Sequence, residues 1–392
     1  MKILHFVHDQ FFMPGLISTF KYLGTKSRFV CLYKGMPSRE WINEANGIEF
    51  VEIDSVGYKN LIRDISYDVV WIHPLMPEYV RFVNQLNDRR VIVVWSSWGG
   101  DLYSLLNNRL LGCRTTFKWC RTVPLSKVVK AFIRHLLTGI GLRKLTWNSG
   151  YRQFIRRVDF FSMIVENEGT LARKFLPHSA RQITFHYTNL NIKDKVDRNL
   201  FVKSSQNIWV GNSATFINNY FDLFPVLSQY KDYNIYAPLS YGPDGKLVDE
   251  EGRRSFGDRW HPYFDFVRMA EYKRRMSNCS IFIFGHFRQG AVGNIMIALK
   301  MGGCVFLSHK NPVYQFLLDK DILVYTLDDL RNRFKAVISE FESRRKLNIK
   351  RASELWSKQM QEYDLRHTLG VLKDEATRRK HNHEQEDFDC LR

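Results

Sequence analysis

The residues of this chain able to do acid–base chemistry stand where apolar runs stop. Ile3-Leu4-His5-Phe6-Val7 gives way to His8 and Asp9, and Val69-Val70-Trp71-Ile72 gives way to His73. Val91-Ile92-Val93-Val94-Trp95 runs through two serines into Trp98-Gly99-Gly100-Asp101. An imidazole or carboxylate in such a place can take the proton of an incoming hydroxyl. Asp101 is the first choice of base, with His8 and Asp9 next. The glycine pair before Asp101 lets the backbone turn sharply and a ligand come close. Trp98, Gly99 and Gly100 then form a wall on the side of the attacking group. The competing reading is that Asp101 caps a helix beginning at Leu102.

A second set of residues suits an anion. Arg288-Gln289-Gly290-Ala291-Val292-Gly293-Asn294 combines an arginine, two glycines and a helix start after the apolar run Ile281–Phe284. Arginine can pair two phosphate oxygens at once, and the first N–H groups of a helix favour negative charge. Gly211-Asn212-Ser213 follows another apolar run, Ile208-Trp209-Val210, and precedes a helical pattern. Its N–H groups could face a phosphate, or its side chains could simply cap that helix. Pro238-Leu239-Ser240-Tyr241-Gly242-Pro243 follows a third run and could wrap a pyrimidine and its ribose, with Tyr241 stacking.

The elements that must position these residues are strands alternating with helices. Strands are expected over residues 2–7, 28–33, 48–53, 67–73, 91–95, 159–165 and 182–187. After a polar linker, 191–206, the alternation restarts with strands over 207–210, 233–237, 280–285, 304–307 and 323–325. This rhythm predicts βαβ units and parallel sheets. The fold class expected is α/β: two doubly wound, Rossmann-like domains facing a cleft, in the manner of GT-B glycosyltransferases, with C-terminal helices. The domains expected are 1–190, on the acceptor and membrane side, and 207–343, binding a nucleotide-sugar. A C-terminal helix over 344–376 and a disordered tail over 377–392 complete the chain.

Several chemistries are disfavoured. No G-x-x-x-x-G-K-[ST] or G-x-G-x-x-G occurs, against a P-loop or dehydrogenase site. No His/Asp/Glu/Cys cluster has metal-ligand spacing, so neither a catalytic metal nor a cofactor is expected. The six cysteines form no C-x-x-C pair and read as free thiols of a cytosolic protein. No apolar run reaches the roughly 18–20 residues of a membrane span.

The net charge of +18 demands an anionic partner. Its distribution narrows the choice, because no acidic residue lies between Asp101 and Asp159 while basic residues recur throughout. Over 126–137 the apolar residues fall at a 3.6-residue period, with Lys127, Lys130 and Arg134 on other faces. Segment 104–157 is therefore expected to lie on an anionic membrane surface. Nucleic acid is not expected as a partner, since the aromatic residues sit mostly in strands and amphipathic helices, not interleaved on a basic sheet face.

Taken together and in order, Trp98-Gly99-Gly100-Asp101-Leu102-Tyr103, Val210-Gly211-Asn212-Ser213, Phe282-Ile283-Phe284 with Arg288-Gln289-Gly290 and Gly293, and Asn311-Pro312 resemble glycosyltransferase family 56. These are the 4-acetamido-4,6-dideoxygalactose (Fuc4NAc) transferases of enterobacterial common antigen assembly. The similarity spans residues 90–330. Two departures stand out: the loop from Phe284 to Gly302 is longer by about two residues, and the 104–157 interval is longer and more basic. The resemblance implies a dTDP-sugar donor and an acceptor carried on undecaprenyl diphosphate. It also implies a peripheral position on the cytoplasmic face of the bacterial inner membrane. The alternatives are another GT-B transferase of sialyl or heptosyl type, or a non-catalytic basic protein binding membrane or nucleic acid.

Overall fold

A computed structural model describes residues 1–64, 66–106, 111–139, 149–190, 201–202 and 205–390; side chains at 134–135, 138–139 and beyond 382 are outside the description. Arg109, Arg143, Lys144, Trp147 and most of the linker 191–206 fall outside the described residues. The chain forms two units, one of Met1–Leu106, Ile140–Asp194 and Lys358–Arg392, the other of Asn107–Gly139 and Lys195–Ser357.

The first unit is built on a parallel sheet. Its strands are β1 (Lys2–Val7), β2 (Lys26–Tyr33), β3 (Ile48–Glu52), β4 (Val69–His73), β5 (Ile92–Ser96), β6 (Phe160–Ser162) and β7 (Arg181–Gln182), in the order β3-β2-β1-β4-β5-β6-β7. β4 and β5 are buried along their whole length, which is why their sequences are apolar without alternation. Ile3, Val7, Trp71, Val94 and Phe160 share one core with Met13, Leu16 and Phe20 of the helix Met13–Tyr22. The chain winds outward from β1 to β2 and β3, then returns to lay β4 on the other side of β1. The carboxyl ends of β1 and β4 therefore mark the point where the winding reverses, the place where such sheets bind ligands.

The second unit repeats the design with β8 (Asn207–Val210), β9 (Asn234–Pro238), β10 (Trp260–Tyr263), β11 (Ile281–Phe284), β12 (Cys304–Leu307) and β13 (Tyr325–Thr326), in the order β10-β9-β8-β11-β12-β13. All pairs are parallel. Its reversal point lies between β8 and β11.

Four differences from the sequence expectation have physical causes. β10, preceded by the helix Gly245–Phe256, was not expected. It is four residues long and includes Pro262, and that helix buries only Val248, Gly252 and Phe256, so neither carries a clear period. The segment expected as a strand over 182–187 pairs only at Arg181–Gln182. Residues 111–139 belong to the second unit, not to a contiguous unit 1–190. The helix Cys113–Thr122 is anchored at its start by the Asp222 carboxylate, which accepts from Arg114 N at 3.1 Å and Thr115 N at 2.9 Å. Such an anion complements a helix N-terminus, and Leu111 and Trp119 pack on that unit's core. Lastly, 377–390 is helical rather than disordered: the helix Lys358–Cys390 returns to the first unit. It buries Leu365, Leu372 and Ala376 in that core, and Thr368 Oγ1 donates to Thr184 O at 2.7 Å.

Candidate active site

At the carboxyl end of the first sheet, β1, β4 and β5 place His8, Asp9, His73 and Asp101, and the hydrogen bonds separate them. Asp101 lies in the first turn of the helix Gly100–Leu106, entered through Gly99 at φ 86°. Its Oδ1 accepts from Ser97 Oγ at 2.7 Å and from the N–H groups of Trp98 and Leu102, both at 3.0 Å. Its Oδ2 accepts from Trp95 Nε1 at 2.9 Å and Leu75 N at 3.0 Å. A carboxylate offers about four lone-pair sites, so these donors leave none for a substrate proton. The preference for Asp101 as the base is corrected here: its carboxylate ties the turn after β5 to the loop after β4.

Asp9 is a second tie. Its carboxylate accepts from Trp41 N at 2.9 Å, Ile42 N at 3.0 Å, Glu40 N at 2.8 Å and the Ser38 hydroxyl. Burial pushes its pKa up, but these donors outweigh burial and leave it below the ordinary carboxylate value. His73 is buried between His5, whose Nδ1 is 3.2 Å from its Nε2, and Tyr187, whose hydroxyl is 2.9 Å from its Nδ1. Burial, with His5 beside it, holds the His73 imidazole neutral well below its ordinary pKa.

His8 is different. It is half-buried at the reversal point, and neither ring nitrogen makes a hydrogen bond among the described residues. Burial lowers its pKa against the pull of Asp9 and Glu78, favouring the neutral imidazole. Trp98 stands beside it at 6.4 Å between ring centroids. The indole is braced edge-on by Phe12 at 4.9 Å and Tyr187 at 6.0 Å. The exposed Gly100 begins the helix next to this indole. The arrangement leaves an imidazole that favours its neutral form beside an aromatic face.

In the second unit the two expected anion loops also separate. Gly211 N donates to Ile283 O at 2.9 Å as part of the sheet, and Asn212 N donates to Asn218 Oδ1 at 3.0 Å. Ser213, buried, has its hydroxyl 3.1 Å from Asn218 Nδ2. A 3-10 turn, Phe216–Asn218, follows instead of an α-helix start. The N–H groups of Gly211 and Asn212 therefore serve the loop's own shape, which corrects their expected part in phosphate binding. Pro238 is the buried last residue of β9, while Tyr241 beyond it is 68% exposed and free to stack.

The loop after β11 keeps its unmet polar groups. His286 is buried with Nδ1 lacking a hydrogen-bond partner among the described residues. Burial and the nearby Arg288 charge push its pKa down to about 3. Gly290 packs so tightly on this imidazole that a Cβ there would come within 2.6 Å of the ring and displace it. Gln289 is buried beside it. The helix Val292–Lys300 then begins, its first intrahelical bond made by Ile295 N to Ala291 O at 2.8 Å. The N–H groups of Val292, Gly293 and Asn294 stand at its open end. The Asn294 side chain is held by the Tyr272 hydroxyl at 2.6 Å. The neighbouring loop after β12 joins in, with Lys310 Nζ 4.6 Å from the centroid of the Phe287 ring. There Asn311, fully buried, accepts from Val313 N at 3.0 Å as a helix cap but leaves its Nδ2 without a partner. His286 and the Asn311 side chain were not anticipated as site residues; their signal is a buried unpaired atom, which only a fold reveals. Among the described residues no group of three His, Cys, Asp or Glu side chains could hold a metal ion.

No family model matches the sequence, and no curated protein matches it. Solved structures do match its fold. The sucrose-phosphate synthase of Thermosynechococcus elongatus superposes with a TM-score of 0.64 at 9% identity, over 95% of this chain and 100% of that one. The pneumococcal O-GlcNAc transferase GtfA, in complex with UDP and GlcNAc, gives 0.62 at 8% identity, over 95% and 99%. The lipopolysaccharide outer core galactosyltransferase WaaB gives 0.60 at 12% identity, over 95% and 99%. The fold is GT-B-like: two Rossmann-like α/β units with C-terminal helices.

Proposed function

We propose that the chain is a glycosyltransferase that takes a nucleotide-sugar as donor, with the diphosphate held by the second unit and the acceptor by the first. The observation that carries this reading is the set of unmet polar groups at the reversal point of the second sheet. The orphaned His286 Nδ1 and Asn311 Nδ2 and the open end of the helix Val292–Lys300 suit an anion rich in acceptor oxygens, and the same loop carries the cationic Arg288. The donor's anomeric carbon loses its bond to the diphosphate as the acceptor oxygen attacks. Arg288 and the helix N–H groups stabilise the charge that develops on the leaving oxygens. His8 takes the acceptor's hydroxyl proton, with Trp98 as a platform for the acceptor. Tyr241 supplies a stacking face for the nucleobase.

At the finer level we assign the donor as dTDP-Fuc4NAc and the acceptor as an undecaprenyl-diphosphate-linked oligosaccharide, on the family resemblance. The helix Leu125–Gly139 fits a membrane-borne acceptor. Leu125, Val129, Phe132, Ile133 and Leu136 form one stripe and are all at least 45% exposed, with Lys127 and Lys130 exposed on other faces. Such a helix suits an anionic lipid surface. No helix among the described residues is long and apolar enough to cross a membrane.

Thermal shift with dTDP, UDP, ADP and CMP tests the donor assignment. The expected result is stabilisation by dTDP above the others, near 2.7 kcal/mol at a hundredfold excess over Kd, and its loss in Arg288→Ala. A preference for CMP or ADP would move the donor to the sialyl or heptosyl type. No stabilisation by any nucleotide, together with tight RNA binding, would overturn the enzymatic reading.

A further inference from the structure

Six arginines converge at the amino ends of β5 and β6, on the side of the first sheet opposite His8. With Asp88 and Asp159 they line a cavity of about 630 Å3. Arg89 and Arg90 precede β5, Arg156 and Arg157 precede β6, and the helix Lys358–Cys390 supplies the remaining pair. The two aspartates do not neutralise them. Asp88 pairs with Arg90 at 2.7 Å, and Asp159 pairs with Arg379 at 2.7 Å while accepting from Val93 N at 2.8 Å. Arg378 turns to Glu375, at 2.7 Å. Arg89, Arg156 and Arg157 have no ion pair among the described residues.

Arg157 is the most demanding of the three. It is only 9% exposed, and its Nη2 donates to Asp88 O at 3.2 Å, but its buried Nε has no acceptor. Burial lowers its pKa against the pull of Asp159 and Asp88, and the facing Arg89 and Arg379 lower it further. A buried cation with no ion pair of its own, in a cavity where arginines outnumber carboxylates, is a standing cost to the fold. General surface basicity does not account for it, since surface cations keep their water. Guanidinium groups in this number suit an anion with several oxygens.

We propose that this cavity binds a phosphate-bearing anion of the diphosphate class, either a soluble phosphate or a phospholipid headgroup, distinct from the donor site. The probe is inorganic pyrophosphate, titrated calorimetrically into the full chain at fixed ionic strength. Wild type and Arg288→Ala are expected to bind it at this cavity alike. Arg89→Ala/Arg156→Ala is expected to lose at least tenfold in affinity while its ligand-free Tm holds or rises, because like-charge repulsion is relieved. The milder Arg156→Gln should lose affinity in the same direction, and serves if the double variant aggregates. Vesicles of phosphatidylglycerol that compete with pyrophosphate, where phosphatidylcholine vesicles do not, assign the headgroup; no competition assigns a soluble phosphate. Equal affinity in wild type and Arg89→Ala/Arg156→Ala would overturn the proposal. So would stabilisation by pyrophosphate no greater than by sodium chloride at equal ionic strength.

Discussion

The carboxyl ends of the two sheets share a topology and differ in how their polar groups are used. In the first unit, Asp9 and Asp101 bind main-chain N–H groups of other loops until their oxygens are full. In the second unit, the loops after β11 and β12 leave His286 Nδ1 and Asn311 Nδ2 buried without a partner among the described residues, whereas in the first unit one atom left so at the sheet's carboxyl end is Trp98 Nε1, beside His8. A saturated carboxylate makes a rigid frame, whereas buried unmet donors and acceptors make a site that a ligand completes. Of His8, Asp9, His73 and Asp101, only the His8 side chain makes no hydrogen bond among the described residues.

The largest effect expected from breaking this contrast is at His8. His8→Ala should lower the transfer rate by roughly 10²–10⁴, the usual contribution of a general base, with Tm little changed. Because burial depresses the His8 pKa, the wild-type kcat/KM should be flat at neutral pH and fall only on the acid side of the ordinary histidine value. His8→Ala should flatten that limb. A change of less than tenfold would return the base to another residue.

Asp101→Asn reverses the expectation. One oxygen becomes an NH2 facing donors, so chemical denaturation should show a loss of about 2–4 kcal/mol, as for several hydrogen bonds to a charged group. The turnover of the remaining folded protein should fall less than tenfold. A Tm equal to wild type with activity abolished would restore Asp101 as a catalytic residue.

The smallest effect is a pH dependence that separates the units. His5 and His73 in the first unit, and His286 in the second, are neutral when folded and have depressed pKa values, about 3 for His5 and His286. Their unfolded counterparts bind protons from about pH 6.5 downward. The stability they secure is therefore complete above pH 6.5 and declines as pH falls toward 3, by at most about 1.4 kcal/mol per pH unit for each group. With two such histidines against one, hydrogen exchange should show β1 and β4 opening at a higher pH than β11. Simultaneous opening would remove this distinction.

The sheets were legible because buried parallel strands need long apolar runs, as in Val91–Trp95 and Ile281–Phe284. The strand-to-helix loop after β11 was legible because Arg288 and two glycines sit together in sequence after an apolar run. The roles of Asp9 and Asp101 were not legible: their partners Glu40, Trp41, Ile42 and Leu75 are 26 to 33 residues distant. Nothing local distinguishes a tied carboxylate from a free one. Asn311 shows the same limit, since its sequence signal is only a helix cap before Pro312, and the orphaned amide exists only once β12 is buried.

The return of the helix Lys358–Cys390 to the first unit has a consequence for biosynthesis. That unit's core includes Leu365, Leu372 and Ala376. When a ribosome has made residue 357, the second unit already has its whole sequence, while the first, begun earliest, still lacks one wall. The order of completion is thus the reverse of the order of synthesis. The apolar surface of the first unit stays uncovered throughout translation of the second, which makes it the part of the nascent chain most in need of a chaperone.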